Sequence, residues 1–81
     1  MANIAKEIVI DPQILVGKPV VKGTRIPVYL VLNLLANGYT HDRIIKAYPQ
    51  LTKRDIKAVL EYAQARVKYE EEFTVPEIVM K

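Results

Sequence analysis

The sequence has no cysteine, no serine and no tryptophan, and a single histidine, His41. Without cysteine, neither a disulfide nor a thiolate zinc site can brace the fold. Without serine or cysteine, the two commonest hydrolytic nucleophiles are excluded. One histidine cannot build a multi-histidine metal centre. Long apolar runs are also missing: the most apolar stretch, residues 28–36, is interrupted by Asn33 and is far short of a bilayer span. The first ten residues include Lys6 and Glu7 and are expected not to act as a signal peptide. The expected location is the cytoplasm, with no membrane partner.

What remains is the composition of a globular chain, 51% hydrophobic and 26% charged. Its 81 residues make one small domain. A chain of this size hides only about 60% of the surface its unfolded form exposes. Multi-domain enzymes, barrels and dinucleotide-binding folds do not fit, and a thin, unbraced core favours an oligomer.

The net charge of +3 is unevenly placed. Residues 1–40 carry Lys6, Lys18, Lys22 and Arg25 against Glu7 and Asp11, a net +2. Residues 41–69 carry Arg43, Lys46, Lys53, Arg54, Lys57, Arg66 and Lys68 against Asp42, Asp55 and Glu61, a net +4. Glu70, Glu71, Glu72 and Glu77 against Lys81 leave the last stretch at −3. A basic body of this kind is the footprint of a nucleic-acid binder. A soluble surface that leans basic has the same footprint.

Ile8-Val9-Ile10 reads as a short strand stopped by Asp11-Pro12. Pro19-Val20-Val21 and Arg25-Ile26-Pro27-Val28 read as a small hairpin, with Gly23 in the turn. A first helix is expected over Val28 to Asn37, with Pro27 at its first position and Gly38 beyond its end. It is apolar nearly all round and should be buried on every face, a neighbouring chain included. Thr40 is the expected cap of a second helix that turns Ile44, Ile45 and Tyr48 inward and stops before Pro49. Thr52 and Asp55 open a third, running to about Tyr69. Two amphipathic helices with a short link make a helix-turn-helix pattern.

On the third helix, Ile56, Val59, Leu60, Ala63 and Val67 fall in one apolar arc, with Lys53, Lys57, Gln64 and Lys68 beside it. In a recognition helix the first turn meets the DNA major groove, which nominates Lys53, Arg54 and Lys57 as base-facing. A solvated lysine edge beside a core looks the same. Ala58, Tyr62, Arg66 and Tyr69 lie opposite and suit a protein contact or a partly exposed face. Gly17-Lys18 and Gly23-Thr24 lack the order of a phosphate loop. His41 reads as solvated, so no catalytic residue, metal or cofactor is expected.

The run Ile8-Val9-Ile10-Asp11-Pro12, the run from Gly17-Lys18-Pro19 to Gly23-Thr24-Arg25-Ile26-Pro27-Val28, and the helix end Asn37-Gly38-Tyr39-Thr40 resemble the domain of unknown function family 433. Tyr48-Pro49-Gln50-Leu51-Thr52, Asp55-Ile56 and Leu60-Glu61-Tyr62-Ala63 match it too. The resemblance covers about residues 8–65 and departs at Val16, where many members have glycine. It implies a mainly α fold: a short N-terminal β segment, then a three-helix homeodomain-like or winged-helix-like helix-turn-helix domain. It also implies a prokaryotic origin and a VapB-like antitoxin encoded beside a PIN-like nuclease toxin. Under that implication the strip Phe73 to Met80, through Phe73, Val75, Ile78 and Val79, would bind the toxin by strand addition or groove filling. A strip folded over its own helices is the other outcome.

Together these expectations describe a domain over residues 1–69 and an acidic, apolar tail over residues 70–81. Its function would be that of a DNA-binding antitoxin regulating its own operon and neutralising the toxin. Arg43, Lys46 and Lys68 would contact phosphates and supply affinity and position, leaving sequence choice to Lys53, Arg54 and Lys57. A homodimer would form through Ile8, Val9, Ile10, Val20, Val21, Ile26, Val28, Leu32 and Leu35. Operator DNA and the toxin are the expected partners, with no small-molecule substrate. The alternative is a dimeric protein-interaction module that binds no DNA.

Overall fold

In a computed structural model of the chain, the backbone is described for residues 2–74 and the side chains for residues 6–69. Three strands form one antiparallel sheet: β1 (Ala2–Ala5), β2 (Ile8–Ile10) and β3 (Pro19–Val21), in that order across the sheet. The β-branched run of β2 takes the centre, as such residues favour. It pairs Ile8 with Val21, Val9 with Val20 and Ile10 with Pro19. Pro19, which has no N–H to give, sits on the edge strand.

This pairing differs from the expected hairpin. Arg25 to Val28 forms no strand, and its link to β3 is a bridge between Val20 and Pro27 plus the Val21 N–H on the Ile26 carbonyl at 3.0 Å. A second proline removes the donor that a longer ladder would need. The turn itself is as the sequence suggests: Gly23 has φ +81°, and the Thr24 hydroxyl donates to the Val21 carbonyl at 2.8 Å while accepting from Ile26 N–H at 2.9 Å. β1 was not expected from the sequence.

Between β2 and β3 the chain makes an unusual left-handed excursion. Leu15, Val16 and Gly17 have φ of 52°, 58° and 80°, and Val16 is 92% exposed. For an L-residue this region costs about 1–2 kcal/mol, and a β-branched side chain is poorly suited to it. No burial offsets the strain at Val16. Val16→Gly should therefore stabilise the domain by about 0.5–1 kcal/mol, net of glycine's greater unfolded-state entropy. Urea unfolding checks this, and a lower midpoint for the variant would refute the strain.

Helix α1 (Val28–Ala36) starts one residue after the expected proline position, Pro27 being the N-cap rather than the first helical residue. It ends in a Schellman motif: Gly38 N–H donates to Leu35 O at 3.0 Å and Tyr39 N–H to Leu34 O at 3.1 Å, with Gly38 at φ +87°. The expected all-round burial does not hold within the chain. Val28 and Val31 are buried, Leu30, Leu32, Leu34 and Leu35 are half-buried, and Tyr29 is 63% exposed.

Helix α2 (His41–Ala47) and helix α3 (Lys53–Thr74) follow. At 22 residues α3 is about 33 Å long and runs through the boundary expected at residues 69 and 70. The core joins Ile8 and Val21 of the sheet to Ile26, to Val28 and Val31 of α1, to Ile44 of α2, to Leu51, and to Ile56, Ala58 and Val59 of α3. No polar or charged residue among those described is buried. The chain is thus mainly helical, with a short antiparallel sheet.

The inward face of α3 is rotated from the expected arc. Ala58 is buried and Tyr62 packs on the core, while Leu60 and Val67 are 41% and 54% exposed. The apolar arc was real, but it is wider than the surface available to cover it. A side chain at the arc's edge is buried only where a neighbour reaches it.

Candidate nucleic-acid interface

The surface around the start of α3 is built by two helix caps. The Thr40 hydroxyl accepts from Arg43 N–H at 3.1 Å and fixes the start of α2. Asp42 in its first turn and Lys46 in its last both suit the helix dipole. At α3 the cap is reciprocal: Asp55 N–H donates to the Thr52 hydroxyl at 3.1 Å, and Thr52 N–H donates to the Asp55 carboxylate at 2.9 Å. This is a complete capping box, with aspartate in the place glutamate usually takes.

The box puts Lys53 and Arg54 at the first two positions of α3, both exposed. Cations there oppose the positive end of the dipole at a cost of about 0.3–1 kcal/mol each. Helix stability does not call for them. Lys53, Lys57 and Arg54 span an arc of about 100° on the outer face, by the helical period. Lys57 is exposed as well.

Other cations contribute unequally. Arg43 lies over the Tyr39 ring at 4.3 Å from its centroid, which holds the guanidinium next to α2's exposed face. Lys46 is exposed near the end of α2. Lys68 is exposed too, but it lies eleven residues beyond Lys57, about 16 Å along α3, and stands apart from the others. Lys53 is not a free cation: its Nζ is 3.6 Å from Asp42 Oδ1. With both side chains largely exposed, that pair is worth little.

The residues expected at a dimer interface are mostly spent elsewhere. Ile8, Val9, Val20, Val21, Ile26 and Val28 are all buried by the chain itself, so they offer no surface to a second copy. Ile10, Leu32 and Leu35 are half-buried. Short apolar strands look alike in sequence whether they face their own core or a partner. Phe73 falls within α3, but its side chain, and Val75, Ile78 and Val79 altogether, lie outside the described residues.

What the sequence reading missed is a groove of about 570 Å³ between α1 and α3, lined by Lys18, Pro19, Val28, Tyr29, Leu32, Tyr62, Ala63, Arg66 and Val67. The Lys18 ammonium rests over the Tyr29 ring at 5.5 Å. The surplus of apolar residues in the first helix was the available signal. Among the described residues no three His, Cys, Asp or Glu side chains group as metal ligands, and no helix is long and apolar enough to cross a membrane.

Comparison with known proteins agrees with the fold. Residues 8–63 match a family described as "Protein of unknown function (DUF433)". The chain is 45% identical over 62 residues to the uncharacterized protein y4eO of Sinorhizobium fredii, a match covering 75% of this chain and 28% of that protein. It therefore spans little more than a quarter of this curated relative. A crystal structure of a DUF433 member from Anabaena variabilis superposes with a TM-score of 0.72 at 26% identity, covering 82% of this chain and 65% of that one.

Proposed function

We propose that this chain, which belongs to the DUF433 family of proteins of unknown function, is a non-catalytic DNA-binding module that reads operator DNA through α2, the Tyr48–Thr52 connection and α3. One observation carries the reading. Lys53 and Arg54 are held outward by a capping box at a helix start, where they cost helix stability. Functional sites are where a sequence is expected to break a local rule. In a helix-turn-helix dock the start of the second helix meets base edges, and here that start carries Lys53, Arg54 and Lys57. Arg43 and Lys46 flank it on α2 for phosphate contact, and Lys68 reaches backbone further along.

The biological setting we assign is that of a VapB-like antitoxin in the cytoplasm of a prokaryote, binding its own promoter and a PIN-like nuclease toxin. The family resemblance supports it. In that setting a homeodomain-like arrangement of the three helices serves DNA, and the tail over residues 70–81 serves the toxin through Phe73, Val75, Ile78 and Val79.

The test is retention of DNA from upstream of the chain's own gene, titrated with salt. Each phosphate neutralised contributes about −0.9 to the slope of log affinity against log salt, so Arg43, Lys46 and Lys68 should give at least about −3 per chain. No retention at low salt would refute the reading. The apolar groove between α1 and α3 supports a second reading, a protein-interaction module, which would then stand in its place.

A further inference from the structure

The exposed apolar seam of α3 has the pattern of a self-pairing helix. Leu60, Ala63 and Val67 follow one another at spacings of three and four, the spacing that makes a continuous helical seam. Leu60 and Val67 are exposed although large and apolar, and Tyr29 of α1 extends the patch at 63% exposure. Beyond Ala63 no described α3 side chain is even half-buried, so the helix projects past its own core.

We propose that a second copy of this chain docks on this seam, with the two α3 helices antiparallel. Charge order along the helix selects the occupant and its direction. Positions 57, 64 and 71 form one row beside the seam, seven residues apart, and hold Lys57, Gln64 and Glu71. An antiparallel copy centred near residue 64 sets position 57 against position 71 twice, opposite charges both times, and glutamine against glutamine. A parallel copy sets lysine on lysine and glutamate on glutamate. Complementary flanking charges of this kind set orientation in helix pairs.

The same register has a second consequence, which rests on the DNA reading. In this register Arg54 falls level with Thr74 of the partner helix, so the two cationic helix starts lie at opposite ends of the pair. With the two-fold axis near residue 64, the two Lys53 positions fall about 33 Å apart along the helices, at 1.5 Å per residue. Successive major grooves on one side of B-DNA are about 34–36 Å apart.

Sedimentation of the full chain tests the interface. The chain is expected to be a dimer, and Leu60→Glu with Val67→Glu is expected to make it a monomer with unchanged circular dichroism, both positions being exposed. Lys57→Glu alone should weaken the dimer, and adding Glu71→Lys should restore it. A monomeric wild type overturns the proposal. So does a dimer indifferent to Leu60 and Val67, or a charge reversal that the second substitution does not rescue. A dimer that behaves as expected yet ignores DNA refutes the proposed function and leaves the interface standing.

Discussion

Replacing Lys53, Arg54 and Lys57 together by alanine is expected to abolish retention of operator DNA while leaving the domain folded. All three side chains are exposed, and none fills the core. The folded state should gain slightly, because two cations leave the positive end of the α3 dipole while the Thr52–Asp55 capping box stays intact. Good base contacts are worth about 1–3 kcal/mol each, so the triple variant should bind at least about a hundredfold more weakly. Lys53→Ala with Arg54→Ala should account for most of that loss, since Lys57 also borders the apolar seam. Gel retention at fixed salt measures it, and unchanged binding would remove α3 from the interface.

The second large effect is on stability. Ile56→Ala should cost about 2–5 kcal/mol, the range for large-to-small changes at fully enclosed sites. Ile56 is completely buried where α3 meets the rest of the core. A domain of 81 residues holds only roughly 4–12 kcal/mol in total. One truncation therefore removes a large share and should lower the urea midpoint sharply. Leu60→Ala, one turn on and exposed, should cost under about 1 kcal/mol when measured on the monomer. Equal losses at the two positions would show that the inward face of α3 is the broad arc the sequence suggests.

The contrast between Ile56 and Leu60 shows how far the sequence could be read. Helix ends were legible because the signals are local: Thr40, Gly38, Thr52 and Asp55 each act through hydrogen bonds within a few residues. The turn at Gly23 was legible for the same reason. Burial was not, because it depends on what arrives from elsewhere in the chain. Val20 and Val21 form their ladder with β2, more than ten residues earlier, and join the segment just after the turn through a bridge and one hydrogen bond. Ala58, small and unremarkable in sequence, is enclosed, while Leu60 faces out. The cations of the candidate site are exposed, but nothing in the sequence linked Lys53 to Asp42 or seated Arg43 on Tyr39. Those contacts depend on how α1, α2 and α3 meet.

The capping box at Thr52 and Asp55 also works as an index mark for everything after it. Each residue turns α3 by about 100°, so the box sets the rotational phase of the whole helix. Core, seam and cationic faces are three sectors of one dial, and they hold their places only relative to that mark. A residue inserted ahead of Thr52 would lengthen the connection and leave the dial unchanged. One inserted just after Asp55 would swing every later sector by more than a quarter turn, carrying Ile56 out toward water and a lysine toward the core. The connection before α3 can thus vary in length at modest cost, whereas the first turn of the helix cannot.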